Sequence, residues 1–269
     1  MLTAPQPSRR PSRRQRSLRQ EYEEFLLERI EEFKQQLSRG ELLAIADEAV
    51  HELEVDTREQ LVLTEVLVLE HVDRLISNRL NLPSFRRWKD KHRKLRRAQQ
   101  EPMHWGLDSD TPLAGLAEEL EGEGDALVVG AAAAPAAYFL SAHEWPVVFI
   151  DQELVAVESV ETRAAAEALA SRLDGLVVSL GSWFPAVNPA LTVIDPVTLS
   201  RLDAPARGKF LDTLMAATPR DVVHFVLPAH SSPDGLTLGP ETLLSHYTGW
   251  HVERGHSGDG VGWILAVKS

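Results

Sequence analysis

The chain has 269 residues, 43% of them hydrophobic, which is ample for one large core or two smaller ones. It contains no cysteine, which excludes disulfides, thiolate metal sites and the redox and zinc-finger functions built on them, and fits a reducing compartment. The formal net charge of −12 conceals a strong segregation: residues 1–20 and 86–97 together carry 14 basic residues against Asp90 alone, leaving 14 basic and 39 acidic residues elsewhere.

Residues 1–20 are rich in proline, serine and arginine with almost no apolar side chains, so they cannot offset the entropy of ordering and read as a disordered basic tail. No apolar segment follows the arginines and no run of eighteen apolar residues occurs anywhere. We therefore expect neither a secretory leader nor membrane insertion, and a cytoplasmic location. Residues 21–105 read as a helical module. Tyr22, Phe25, Leu26, Ile30, Phe33 and Leu37 recur at helical spacing, with Gly40 as the expected terminator. A second helix is predicted over Glu41–Leu53. A third, from about Thr57 to Leu80, has Asp56 or Thr57 as its cap and Pro83 as its stop. Residues 84–100 predict a basic helix with Ser84 as N-cap, anchored by Phe85, Trp88 and Leu95 and charged on all sides.

Beyond a connector near residue 105 the pattern changes to strands alternating with helices, which argues for a parallel sheet covered by helices. A short helix over Leu113–Leu120 precedes a strand at Leu127–Val129, a turn at Gly130, a helix begun by Pro135 and a second strand at Val147–Ile150. Asp151 ends that strand 21 positions after Gly130, close to the offset at which a carboxylate accepts the hydroxyls of a bound ribose. Further strands are expected at Gly175–Ser179, Ala190–Ile194, Asp221–Leu227, His251–Arg254 and Trp263–Lys268.

The order DALVVGAAAAP, VVFID, ALTVIDPVTLSRL, ARGKFLDTLMAATPRDVVHFVLPA, and a last helix leading through Gly249 to two strands around HSGDG, resembles the class I S-adenosylmethionine-dependent methyltransferases over residues 113–269. The resemblance implies an α/β fold: a seven-stranded methyltransferase-type Rossmann sheet with a terminal antiparallel hairpin, here over 106–269 and preceded by the all-α module. It implies S-adenosylmethionine as cofactor. Gly130, Ala131 and Ala132 would then pass under the methionine part, Asp151 hold the ribose, and Gln152 lie near the adenine edge. Asp195 would face cofactor and substrate. After the third strand an acidic residue often binds the adenine amino group; this chain has Gly181, Ser182 and Trp183 instead, with stacking by Trp183 or Phe184 as the replacement. The glycine-rich turn is also degenerate, because Ala131–Ala134 carry Cβ atoms that resist positive φ and hold a ligand off the backbone.

Each signal has a bland counterpart. Asp151 also suits the capping of the next helix, the alanine turn a tightly packed corner, and His230 with Ser231, Ser232 and Asp234 an ordinary surface loop rather than a general base. The ten histidines form no recognised metal-ligand spacing, and no Gly-x-Ser-x-Gly elbow occurs. Two functions stay open: methyl transfer from S-adenosylmethionine to an acceptor the sequence does not identify, and a catalytically inactive methyltransferase-fold scaffold in a larger assembly. For partners, the tail and the helix 84–100 suggest nucleic acid or another polyanion, with Trp88 or Phe85 stacking on bases. The N-terminal helices suggest a protein partner or a homo-oligomer.

Overall fold

The structure, a computed structural model, describes residues 17–56, 65–120, 124–187, 189–228, 240–256 and 262–269. The basic tail to residue 16, the expected Thr57 cap, the start of the third helix, His230–Asp234 and most of the HSGDG turn lie outside the described residues. The chain divides into two units, Met1–Leu95 and Arg96–Ser269. No described helix is long and apolar enough to cross a membrane.

In the first unit Ser17 opens α1 (Leu18–Gln36) with a capping box. Its Oγ accepts from the Gln20 N–H at 3.2 Å while the Gln20 side chain accepts the Ser17 N–H at 2.9 Å. Gly40 does not terminate this helix; it lies in the first turn of α2 (Arg39–Asp56). The break is made two residues earlier by Ser38, whose N–H donates to Glu41 Oε2 at 2.8 Å and whose Oγ accepts the Glu41 N–H at 3.3 Å. A serine three positions before a glutamate satisfies two orphan donors, which outweighs the permissiveness of glycine. Asp56 is the last residue of α2 and caps nothing after it. The described part of the third helix, α3, is Glu65–Arg79, and Ile30, Ile45, Ala49, Val72, Leu75 and Ile76 form the core of the unit.

The basic helix α4 (Phe85–Gln99) is not charged on all sides. Phe85 and Trp88 lie 5.3 and 5.4 Å from the Tyr22 ring, and Trp88 stacks on His92 at 4.6 Å. The two aromatics considered for base stacking are thus spent inside the unit, and the exposed bases share the opposite face. Helical periodicity sorts 3.6-spaced aromatics to one side even where charged residues outnumber them.

The second unit contains α5 (Pro112–Glu119) and a seven-stranded sheet. Its strands are β1 (Asp125–Val129), β2 (Val147–Asp151), β3 (Leu173–Val177), β4 (Pro189–Ile194), β5 (Val223–Val226), β6 (His251–His256) and β7 (Gly262–Val267), in the order β3-β2-β1-β4-β5-β7-β6. Strands β1 to β5 are parallel, and β7 runs antiparallel between β5 and β6. This is the methyltransferase-type sheet with its terminal hairpin. Alternate side chains feed two cores. Ala126 and Val128 face α5, α6 (Ala134–Ala142) and α7 (Leu154–Ala166); Leu127 and Val129 face α8 (Pro196–Ser200), α9 (Ala204–Ala217) and a 3-10 segment at Pro240–Tyr247. That last segment was expected as an α-helix; Pro240 opens it and Gly249, at φ +84°, ends the run after it.

Two details differ from an ideal alternation. Strand β3 starts at Leu173, two residues before the expected Gly175. Gly175 sits inside the strand because a Cβ there would meet Val157 Cγ1 at 2.7 Å, so its bareness lets α7 press onto the strand. The connection from β3 to β4 also contains no helix among the described residues 178–187. Pro185 discourages one, and Val178 and Leu180 are buried on the sheet with Phe184 packed near Phe210 at 6.1 Å.

In the hairpin, Trp263 lies over Gly255, where a Cβ would come within 2.2 Å of the indole. Gly255→Ala is therefore expected to cost about 1–3 kcal/mol through displacement of the ring. Urea unfolding measures this, and an unchanged midpoint would mean the indole swings aside freely.

Candidate functional site

The carboxyl ends of β1, β2 and β4 place Gly130, Asp151 and Asp195 side by side at one sheet edge, where open α/β sheets bind ligands. Gly130 follows β1 with φ +97° and ψ 150°, a backbone region essentially reserved for glycine. Its N–H donates to Ile150 O at 3.0 Å, which ties the turn to β2. Ala131–Ala133 form a 3-10 turn that runs directly into α6, and none of Ala131–Ala134 has positive φ. The four alanines thus meet no backbone penalty, because all the unusual curvature is concentrated in Gly130.

A Cβ on Gly130 would meet Thr198 Oγ1 at 2.6 Å, Thr198 Cβ at 2.7 Å and Asp195 Cβ at 2.8 Å. The space above this glycine is filled by the protein's own α8. Asp195 caps that helix, with Oδ1 accepting the Val197 N–H at 2.8 Å and Oδ2 accepting the Thr198 N–H at 3.2 Å and its hydroxyl at 2.8 Å. Oδ2 also accepts the Ala132 N–H at 3.2 Å, so the carboxylate expected to face cofactor and substrate instead clasps the alanine turn. Pro196 beside it is the favoured first residue of a helix. Thr198 was missed in the sequence, although D-P-x-T is a helix-start signal with a hydroxyl at the third helical position.

Asp151 is different. It is only 2% exposed, its Oδ1 accepts the Glu153 N–H at 2.9 Å, and its Oδ2 has no hydrogen-bond partner. Burial pushes its carboxyl above the usual range. The N–H groups of Glu153, Ala131 and Gln152 pull it partly back, and the charge of Asp195 adds to the rise. A buried carboxylate oxygen lacking a donor is costly, and such groups in native structures mark a missing partner or a site.

Around it lies an apolar shelf that the sequence reading did not identify. Val177 is the β3 partner of Asp151 in the register, and α7 begins three residues after Asp151 with Leu154 and Val155. Trp183 follows β3 by six residues. Leu154, Val155, Val177 and Trp183 are each 50–75% exposed, and Met103 is the one other exposed large hydrophobic of the second unit among the described residues. Gathering four of five at the ends of two adjacent strands makes this a place rather than scatter. Gln152 is half-buried between the shelf and Asp151, while Ser182, exposed, precedes Trp183 in a turn set by Gly181 at φ +86°. Ser182, Trp183 and Phe184 line a small cleft of about 60 Å³ with Lys209, Phe210 and Thr213 of α9. The signal for the shelf was available: an apolar pair in the first turn of a helix, where polar caps are the rule.

No protein-family model matches this chain, and no curated protein sequence does. Among solved structures it is similar to an O-methyltransferase family protein from Burkholderia thailandensis, at 13% identity over 59% of this chain and 55% of that one, with a TM-score of 0.46. The chain thus spans little more than half the length of that protein. It is also similar to the N-methyltransferase NodS from Bradyrhizobium japonicum WM9 in complex with S-adenosylhomocysteine, at 21% identity, 65% and 95% coverage and a TM-score of 0.43. A third is the glycopeptide N-methyltransferase MtfA complexed with S-adenosylhomocysteine, at 12% identity, 61% and 91% coverage and a TM-score of 0.47.

Proposed function

We propose that the second unit is an S-adenosylmethionine-binding, methyltransferase-type domain that holds the adenosine half of its cofactor at the ends of β2 and β3. The observation that carries this is the orphan Oδ2 of Asp151, a buried acceptor beside an exposed apolar shelf. A ribose hydroxyl supplies the donor this oxygen lacks, and Val177, Leu154, Val155 and Trp183 offer a surface for a purine. The residues present fit the nucleoside. S-adenosylmethionine, when bound, supplies an electrophilic methyl group on its sulfonium. The chain's own contribution is to orient it and to keep water from the shelf.

A second reading, a binding scaffold without turnover, is favoured by one specific observation. The turn that would pass under the methionine part has its Ala132 N–H already taken by Asp195, and the space over Gly130 is filled by Thr198. Calorimetry with S-adenosylmethionine, S-adenosylhomocysteine and adenosine separates the two. Comparable affinity for all three means that only the nucleoside is held, whereas tighter binding of the two amino-acid-bearing ligands supports the methyltransferase reading.

Asp151→Ala should weaken binding by about 1.5–3 kcal/mol, the range for a hydrogen bond to a charged group. Asp151→Asn keeps an acceptor for the Glu153 N–H and removes a buried charge, so it should fold at least as stably as the wild type at pH 7 while losing affinity. A wild type that binds nothing at millimolar ligand, together with an Asn variant of reduced stability, would leave Asp151 a purely structural residue.

A further inference from the structure

The exposed face of α4 is a second surface, independent of the ligand site. Taking 100° per residue, Arg93, Arg86, Lys94, Arg87 and Lys91 fall within an arc of roughly 160° and within about 12 Å of helix axis. All five are exposed. None makes a hydrogen bond, ion pair or ring contact with any described residue, whereas elsewhere in the unit Arg19, Arg29 and Lys34 each pair with a glutamate three or four positions away. Asp90 is the one acid in the arc. Arg96, by contrast, is turned away from solvent and donates to Ala168 O at 3.0 Å.

We propose that this face binds the phosphate backbone of nucleic acid without reading its bases. Five uncompensated cations in so short a span create a strong local field on a chain whose net charge is negative, and a dense polyanion relieves it by releasing its condensed counterions. The arc presents no aromatic or large aliphatic side chain, because Phe85, Trp88 and His92 are committed to the Tyr22 cluster. That leaves nothing to stack on bases, nothing to insert into a lipid surface, and no apolar centre of the kind protein interfaces are built around. Contact with phosphates is the interaction this chemistry serves, with no sequence preference.

The test uses the full chain and fluorescein-labelled random-sequence 30-mers, duplex DNA and single-stranded RNA, in anisotropy titrations between 50 and 200 mM salt. Five phosphate contacts at about 0.9 each give a slope of about −4.5 on duplex, or roughly a 500-fold loss of affinity across that range, to which the N-terminal arginines add. The variant R86Q/R87Q/K91Q/R93Q/K94Q should lose roughly 4–5 units of slope and bind at least about 100-fold more weakly at 50 mM salt. Should that variant fail to fold, protection of Lys91 and Lys94 from acylation in the wild type by added nucleic acid reads the same contact. No binding at 50 mM salt, a folded variant that binds like the wild type, or capture of anionic vesicles but not nucleic acid would each overturn the proposal.

Discussion

Gly130→Ala is expected to destabilise the second unit by about 2–6 kcal/mol whether or not any ligand is present. Two costs combine. A non-glycine residue at φ +97°, ψ 150° occupies a region of backbone space worth about 1–3 kcal/mol of strain. The added Cβ also lies 2.6–2.8 Å from Thr198 and Asp195, an overpacking worth about 1–3 kcal/mol more. For a unit of this size, at roughly 2–4 °C per kcal/mol, the melting temperature should fall by on the order of 10 °C. Thermal denaturation of the apoprotein measures it. A wild-type melting curve would show that α8 is not held against the turn. The outcome bears on function, because a glycine required for packing is no evidence for a cofactor passing over it.

The second large effect is in acid. His224 of β5 is fully buried, and its protonation state follows from its neighbours. Thr218 donates its hydroxyl to Leu214 O at 2.6 Å, so towards His224 Nε2, 3.0 Å away, Thr218 Oγ1 can only accept. Nε2 therefore carries the proton, and Nδ1 is left to accept from the Tyr247 hydroxyl at 3.3 Å. Burial first, and then the charge of Lys268, lower its pKa to about 3. The unfolded chain, with His near 6.5, thus binds the extra proton throughout the interval from about 6.5 down to about 3. The stability contribution is complete above 6.5 and is lost as pH falls through that window, at about 1.4 kcal/mol per pH unit, or about 2 kcal/mol by pH 5. Asp151 runs the other way: its raised carboxyl makes ionisation costly, so its contribution is present at low pH and declines as pH rises through its folded pKa. Urea denaturation at pH 7.5 and 5.0 separates them. His224→Gln should be weaker at neutral pH with a flatter acid slope, and an unchanged slope would remove His224 as the acid-sensitive group.

The sequence made the strand order legible because each strand is a short apolar run and the connections carry strong punctuation: Gly130, Pro135, Pro196 and Gly249. It also located Gly130, Asp151 and Asp195 at strand ends. What it could not supply was which acceptor is already satisfied. Asp151 and Asp195 look alike as strand-end carboxylates, yet one keeps an empty oxygen and the other is saturated by Val197, Thr198 and Ala132, the last 63 residues away in the chain. Similarly, α4 read as charged on every side because composition alone does not tell that Tyr22, 63 positions before Phe85, waits to cover its aromatic side. Boundaries slipped where two local signals competed, as at Ser38 against Gly40.

The helix-free passage from β3 to β4 sets where the second unit opens most readily. Strand β3 is at the rim of the sheet, held by β2 alone. One of its sides is backed by α7, and the connection that follows it, in place of the usual helix, is a single thickness of chain pinned by Val178, Leu180 and Phe184. Fewer apolar contacts oppose local opening here than in β1 or β4, so amide hydrogens of 173–178 should exchange with deuterium faster than those of the inner strands. This rim carries Val177 and leads to Trp183. A nucleoside seated there would slow that exchange, giving a residue-level record of occupancy even if no methyl group is ever transferred.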